Sequence, residues 1–417
     1  MSQPSSNSAD PLQRSKALFE RASQVIPGGI YGHAAPAATV PGAFPYFAQR
    51  AEGARYWDVD GNEYIDLMCG YGPILLGYQH PEVNAAALEA QAQGDCFNHP
   101  TEYSVRLAEK ICHSIQGADW AVFGKNGSDM TAWAVRVARE FTGRKRIAKI
   151  THAYHGIDPW CVPGFGGVIS EDRALIDHFY WNQVDSLDAL IHDKADELAA
   201  IMLTPFHHPA FDDSVLPSPE FVQVVNQHCA SQGILLIMDD VRCGFRLHPA
   251  GSHQRFGFKP DLICMSKAIG NGYPLSACAG AKALKVAASK CFLTGSFWNA
   301  AAPMAAALKT MEIIERDAVI PALERQGQKL IEGMLQLGQA YGIPLQASGP
   351  PAMPYLRVAN DPSFRAQQAL CAAAVQAGLY LHPHHNWFIS AAHSPEIIET
   401  SLERFAQALQ TLAAGPK

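Results

Sequence analysis

Apolar residues recur along this chain in two rhythms. Ala118–Phe123, Arg146–Ile150, Leu198–Leu203, Ile234–Met238, Leu262–Met265 and Ala277–Gly280 are short, mostly apolar runs bounded by Gly, Pro or polar residues. Such runs mark strands buried on both faces. Between them, Met130–Phe141 and Pro219–Gln232 repeat at helical spacing. The alternation runs from about residue 66 to about 309 and predicts an α/β fold, with a mainly parallel central sheet covered by helices on both faces. The two ends read differently. Leu323–Leu337, Phe364–Ala377 and Pro395–Leu412 are amphipathic helices, and Leu379–Leu381 and Phe388–Ser390 are short strands. Neither end alone has a convincing core. Residues 1–65 and 312–417 are therefore expected to fold together as a smaller α+β domain beside a large domain of residues 66–311.

Composition narrows the function. Of 417 residues, 48% are hydrophobic and 17% charged, as expected for a chain with a large core. The net charge of −7, with no block of Lys or Arg, argues against nucleic acid or an anionic membrane as partner. The ten cysteines form no C-x-x-C pair, and Cys264 and Cys278 sit in apolar runs. They read as reduced core residues, which points to the cytoplasm. The N-terminal stretch lacks the apolar core of a signal peptide, and no later run is long enough to span a bilayer.

The chemistry gathers in Ile234–Gly280. One buried-strand run ends in Asp239 and Asp240, and a second ends in Ser266 and Lys267 before a Gly-rich turn. Ligands of open parallel sheets sit at the carboxyl ends of the strands, so an acid and an amine would share one edge. That pair serves either as a structural ion pair or as the core of a pyridoxal-5′-phosphate (PLP) site. In the second case the amine attacks the cofactor aldehyde and the carboxylate keeps the pyridine nitrogen protonated. A second signal is Ala121–Thr131, AVFGKNGSDMT, a strand, a Gly-containing turn and a helix start. The N–H groups of Gly127 and Ser128, with the Ser128 hydroxyl, suit a phosphate at a helix N-terminus, although many such turns are ordinary caps. There is no Walker A spacing and no strand–GxGxxG–helix unit, which excludes a nicotinamide dehydrogenase. The histidine pieces His382-Pro383-His384-His385 and His207-His208 lack supporting carboxylate or Cys spacing, so no metal is expected.

Taken together, these segments resemble the class III, fold-type I PLP-dependent aminotransferases, in the branch that contains glutamate-1-semialdehyde aminomutase. The likeness covers nearly the whole chain. It rests on the 28-residue gap between Asp239 and Lys267, DDVRCGFR, SKAIGNGYPL, GKNGSDMT, the AYHG of Ala153–Gly156, VIPGG and YWDVDGNEYIDL. The resemblance implies that Lys267 bonds the cofactor and shuttles the substrate proton, and that Asp239 pairs with the ring nitrogen. It also implies that Val241 and Tyr154 cover the two ring faces, with His155 and Gly156 shaping the turn behind Tyr154, and that Gly127 and Ser128 hold the phosphate. Ser296, in TGSFW, falls where the family has a hydroxyl reaching the partner subunit's phosphate, which implies a homodimer with composite sites. Asp129 falls where the family usually has Glu.

Departures from the branch bear on the substrate. The aminomutases carry a carboxylate-binding Arg shortly after the N-terminal Gly-Gly. Here Ile30, Tyr31, Gly32, His33, Ala34 and Ala35 follow, and the next arginine is Arg50. The usual Glu-Pro is Thr204-Pro205. Several segments, among them VIPGGIYGH, TPFHHPAFDD and HPHHNWFISAAH, are similar to aminotransferases that deaminate hydrolysed fumonisin, a long-chain aminopentol. This narrower resemblance implies a hydrophobic or hydroxylated primary amine as donor and pyruvate or a similar 2-oxo acid as acceptor. Tyr31, His33, Tyr71, Phe206, Trp298, His384 and Trp387 are candidates for the amine pocket, and Arg242, Arg246 and Arg357 for the acceptor carboxylate. The alternatives are a PLP-dependent isomerase, which needs no acceptor, and a non-catalytic protein of the same fold. Retention of Lys267, Asp239 and Tyr154 argues against the last.

Overall fold

The computed structural model describes residues 10–32, 40 and 42–414. Thirteen strands arise among them. They are β1 (Ala48–Glu52), β2 (Arg55–Asp58), β3 (Glu63–Asp66), β4 (Trp120–Gly124), β5 (Arg146–Ile150), β6 (Ile176–Phe179), β7 (Leu198–Leu203), β8 (Leu235–Asp239), β9 (Leu262–Met265), β10 (Ser276–Gly280), β11 (Leu345–Ser348), β12 (Tyr355–Val358) and β13 (Leu379–Tyr380). Seven form the central sheet in the order β4-β10-β9-β8-β7-β5-β6. The sheet is parallel from β9 to β6, and β10 runs antiparallel to both β9 and β4. Every residue of β7, β8 and β9 is buried, because helices cover both faces. That is why these strands are continuously apolar rather than alternating.

The register decides where the chemistry falls. Leu203 pairs with Met238, and Asp239 with Cys264. Thr204 after β7, Asp239 at the end of β8 and Lys267 after β9 therefore emerge on one edge. Since β4 is antiparallel to β10, it points the same way as β9, and the helix Gly127–Thr142 that follows it starts at that edge too.

Residues from both ends of the chain meet in a second sheet of order β1-β2-β3-β13, where Leu379 and Tyr380 pair in parallel with Ile65 and Asp66. The helices Val319–Ala340, Arg365–Gln376 and Pro395–Ala413 cover the predicted amphipathic stretches. Phe388–Ser390 is not a strand. Its N–H groups reach separate partners, Phe388 to Leu67 O and Ile389 to Ala352 O, so no ladder can form. Among the described residues, no helix is long and apolar enough to cross a membrane.

Candidate active site

Asp239 is buried at the end of β8. Its Oδ1 accepts from the Val241 N–H at 3.2 Å, and its Oδ2 lies 2.7 Å from Nδ1 of the buried His155. An ionised carboxylate only accepts, so this contact places the His155 proton on Nδ1. The His155 backbone is held as well, because its carbonyl accepts from Thr131 Oγ1 at 2.7 Å. Asp240, the second acid of the pair, faces inward. Its Oδ2 accepts from the Ser252 N–H at 3.0 Å, and burial pushes its pKa up to about 7.

Lys267 opens the short turn Lys267–Gly270, with φ of 48°. A non-glycine residue in this left-handed region costs about 1–2 kcal/mol, a strain that recurs at functional positions. Burial, followed by the charge of Arg242, pulls the Lys267 pKa down to about 7. A large fraction of this amine is then uncharged, and so nucleophilic, near neutral pH.

The turn after β4 is built to receive an anion. Asp129 Oδ2 takes the N–H groups of Lys125 and Asn126 at 2.9 and 2.8 Å. The N–H groups of Gly127 and Ser128 then belong to the first helical turn, where no intrahelical acceptor exists. Space is tight on either side. A Cβ on Gly127 would come within 2.7 Å of Val241 Cγ1, and one on Gly156 within 2.7 Å of Ser128 Oγ. Gly156 also has φ of 134°, which a side chain rarely tolerates. Ser128 Oγ accepts from the Ile157 N–H at 3.2 Å and so ties the two loops together.

These pieces enclose one cavity of ≈340 Å³, lined by Gly127, Ser128, Tyr154, Asp239, Val241 and Lys267 together with His155, Thr204, His208 and Arg242. A sequence model for "Aminotransferase class-III" matches residues 37–163 and 172–412. The chain belongs to the class III aminotransferases. It is 43% identical to the aminopentol aminotransferase of Sphingopyxis macrogoltabida, over 94% of this chain and 92% of that one. It is 34% identical to the 3-aminobutyryl-CoA aminotransferase of Cloacimonas acidaminovorans (strain Evry), over 95% and 97%. It superimposes with a TM-score of 0.94 on the FumI protein of Sphingopyxis sp. MTA144 in its PLP internal aldimine form, with 42% identity and 96% of each chain covered.

The aminotransferase is thus a PLP enzyme of fold type I, and its cavity suits that cofactor. A helix start with unpaired N–H groups, two glycines at which a side chain would fill the space, a buried carboxylate and a lysine of lowered pKa face one another. His155 Nε2 is also buried without a partner.

Six of the seven cofactor candidates, Gly127, Ser128, Tyr154, Asp239, Val241 and Lys267, share the cavity; the seventh, Ser296, and the proposed substrate residues do not. Tyr31 is 78% exposed. Ser296 is exposed too, and Trp298 lines a separate surface pocket with Val105 and Phe123. His384 stacks on Phe211 at 4.2 Å and meets Gln368 at 3.2 Å. Phe206 and Trp387 are core residues. Tyr71 lines another pocket, with Arg50, Tyr56 and Tyr380, and stands edge-on to His385 and His382 at 5.5 and 5.9 Å. His33 lies outside the described residues. Sequence reasoning missed His208, which appeared only as part of a histidine pair, and the bond from His155 to Asp239, which spans 84 positions.

Proposed function

We propose that this aminotransferase moves an amino group from a hydrophobic or hydroxylated primary amine to pyruvate or a similar 2-oxo acid. Bound in the cavity, PLP supplies an electron sink for the bond that breaks at the amine-bearing carbon. The chain's own residues do the rest. Lys267 anchors the cofactor and carries the proton to and from the substrate carbon. Asp239, oriented by His155, holds the proton on the ring nitrogen. Val241 and Tyr154 would hold the ring between them, and Gly127 and Ser128 would bind its phosphate. The similarity to an aminopentol aminotransferase supports an amine of this kind.

One observation carries the donor assignment. The wall beside Lys267 is made of neutral rings. Tyr71, His385 and Phe388 follow one another at 5.5 and 5.8 Å, and burial holds His385 well below its usual pKa, hence uncharged. Arg50, the first arginine after Gly28 and Gly29, stacks on Trp57 at 3.4 Å. The cations nearest these rings are engaged elsewhere, Arg246 with three backbone carbonyls and Arg50 with Trp57, so burying a distal carboxylate there would cost several kcal/mol. An alkyl chain would instead gain on the order of 25 cal/mol per Å² of apolar surface buried. With pyruvate as acceptor, a long-chain amino alcohol and an aryl-alkylamine are expected to exceed glutamate and glutamate-1-semialdehyde in kcat/KM. A carboxylate-bearing donor ranking first would overturn the assignment.

We further propose a cytoplasmic homodimer in which the exposed Ser296 reaches the partner's phosphate site. Sedimentation of an active, PLP-loaded monomer would rule the dimer out. The pairing of β13 with β3 supports a small domain made from 1–65 and 312–417 around a large domain of 66–311, and limited proteolysis at those junctions tests the division.

A further inference from the structure

We infer that Arg242 is the residue that grips the carboxylate of the 2-oxo acid, with His208 lining the same cavity; this rests on the transfer reaction proposed above. Three arginines compete for the role, and the structure separates them. Arg246 is fully buried, and both of its terminal nitrogens are occupied. It donates to Ile389 O at 2.6 Å, to Gly72 O at 2.8 Å and to Ile74 O at 3.1 Å, with its guanidinium over the Phe388 ring. Arg357 is neutralised by a two-pronged pair with Asp213 at 2.8 and 2.9 Å. Arg242 lines the same cavity as Lys267. Its hydrogen bond, from Nη1 to Asn386 Oδ1 at 3.0 Å, goes to a neutral amide. Among the described residues no carboxylate forms an ion pair with it, and Asp239 attracts it only through space.

A guanidinium carries five donors in a fixed fork that matches a carboxylate. Arg242 opens on the cavity, yet enough protein surrounds it that burial lowers its pKa. Confining a cation with no anion in contact is costly, and an arriving carboxylate offsets that cost. His208 lines the cavity too. Its Nε2 is buried without a partner, and burial followed by the charge of Arg242 keeps its pKa well below the usual value. It can therefore offer a hydrogen bond without adding charge.

Position favours the same assignment. Gly127 and Ser128 enter the cavity from the β4 side, whereas Thr204 and His208 follow β7, on the far side of β8. A phosphate held at the first end repels a second anion, and the cavity offers that anion a cation at the other. The donor amine has no carboxylate to place there, so Arg242 acts as an acceptor-selecting residue.

The test uses the PLP-loaded enzyme with Arg242→Gln and Arg242→Lys. Equilibrium binding of propionate, an unreactive carboxylate, is followed by calorimetry. Turnover is compared for two acceptors, pyruvate and the neutral butanal, with one amine donor. The Gln variant is expected to weaken propionate binding by more than about tenfold and to lower the pyruvate-to-butanal ratio of kcat/KM by about 100-fold, the scale of one charged hydrogen-bonded contact. The Lys variant keeps the charge without the fork and should lose about tenfold in that ratio, which preserves the test if the Gln variant fails to fold. Unchanged propionate binding, or equal losses with both acceptors, overturns the inference. Wild-type enzyme that binds propionate at Arg242 yet uses no 2-oxo acid overturns the proposed reaction instead.

Discussion

Lys267→Ala is expected to lower kcat by about 10⁴-fold, the upper range for loss of a positioned proton carrier, before the lost covalent anchor is counted. Circular dichroism should show an intact fold, because the substitution removes a buried amine rather than a packing residue. A variant that transaminates within tenfold of wild type would falsify the assignment of Lys267. The same residue predicts a pH signature in the cofactor-free protein. The folded-state pKa lies near 7, below the ordinary 10.5, so between these values the unfolded chain binds the extra proton. Stability must rise with pH in that window, and denaturant titrations should show a steeper rise for wild type than for Lys267→Ala. Capture of PLP, followed by absorbance, should likewise quicken as the pH passes about 7.

Asp239→Asn is expected to cost about 10²–10³-fold in kcat, the usual loss when one preorganised electrostatic contact is removed, with only a modest effect on PLP affinity. The carboxylate stabilises a protonated ring nitrogen more as charge flows into the ring than at rest. Two side chains then feel the change. Asn at 239 can offer its amide N–H where Asp239 Oδ2 accepted from His155, and the His155 ring would have to reverse its tautomer or turn away. Rates measured at saturating PLP decide the matter. Full activity there, with a loss confined to cofactor affinity, would remove Asp239 from the chemistry.

Much of this was legible in the sequence, for a physical reason. Leu198–Leu203 and Pro219–Gln232 emerge at their predicted bounds because a doubly covered strand must be apolar throughout and Ser218 caps the helix that follows. Asp239 and Lys267 could be placed on one edge because each ends a buried run and adjacent parallel strands share a carboxyl end. What stayed hidden depends on contacts between distant residues. Apolar content cannot reveal that β10 runs antiparallel. Nor can it distinguish Arg242 from Arg246, four positions apart and alike in type. One finds carbonyls to satisfy it and the other does not. The predicted strand at Phe388–Ser390 failed similarly, since extended shape without a neighbouring ladder does not make a sheet.

The bonds of Arg246 tie together backbone at residues 72, 74 and 389, and this has a consequence for biosynthesis. The segment that bears Lys267 leaves the ribosome well before the one that bears Ile389. Until residue 389 has emerged, the Arg246 guanidinium lacks one of its three carbonyls, and β3 lacks the β13 partner that flanks the site. The wall that Arg246 ties together is therefore completed late, only once residue 389 has emerged.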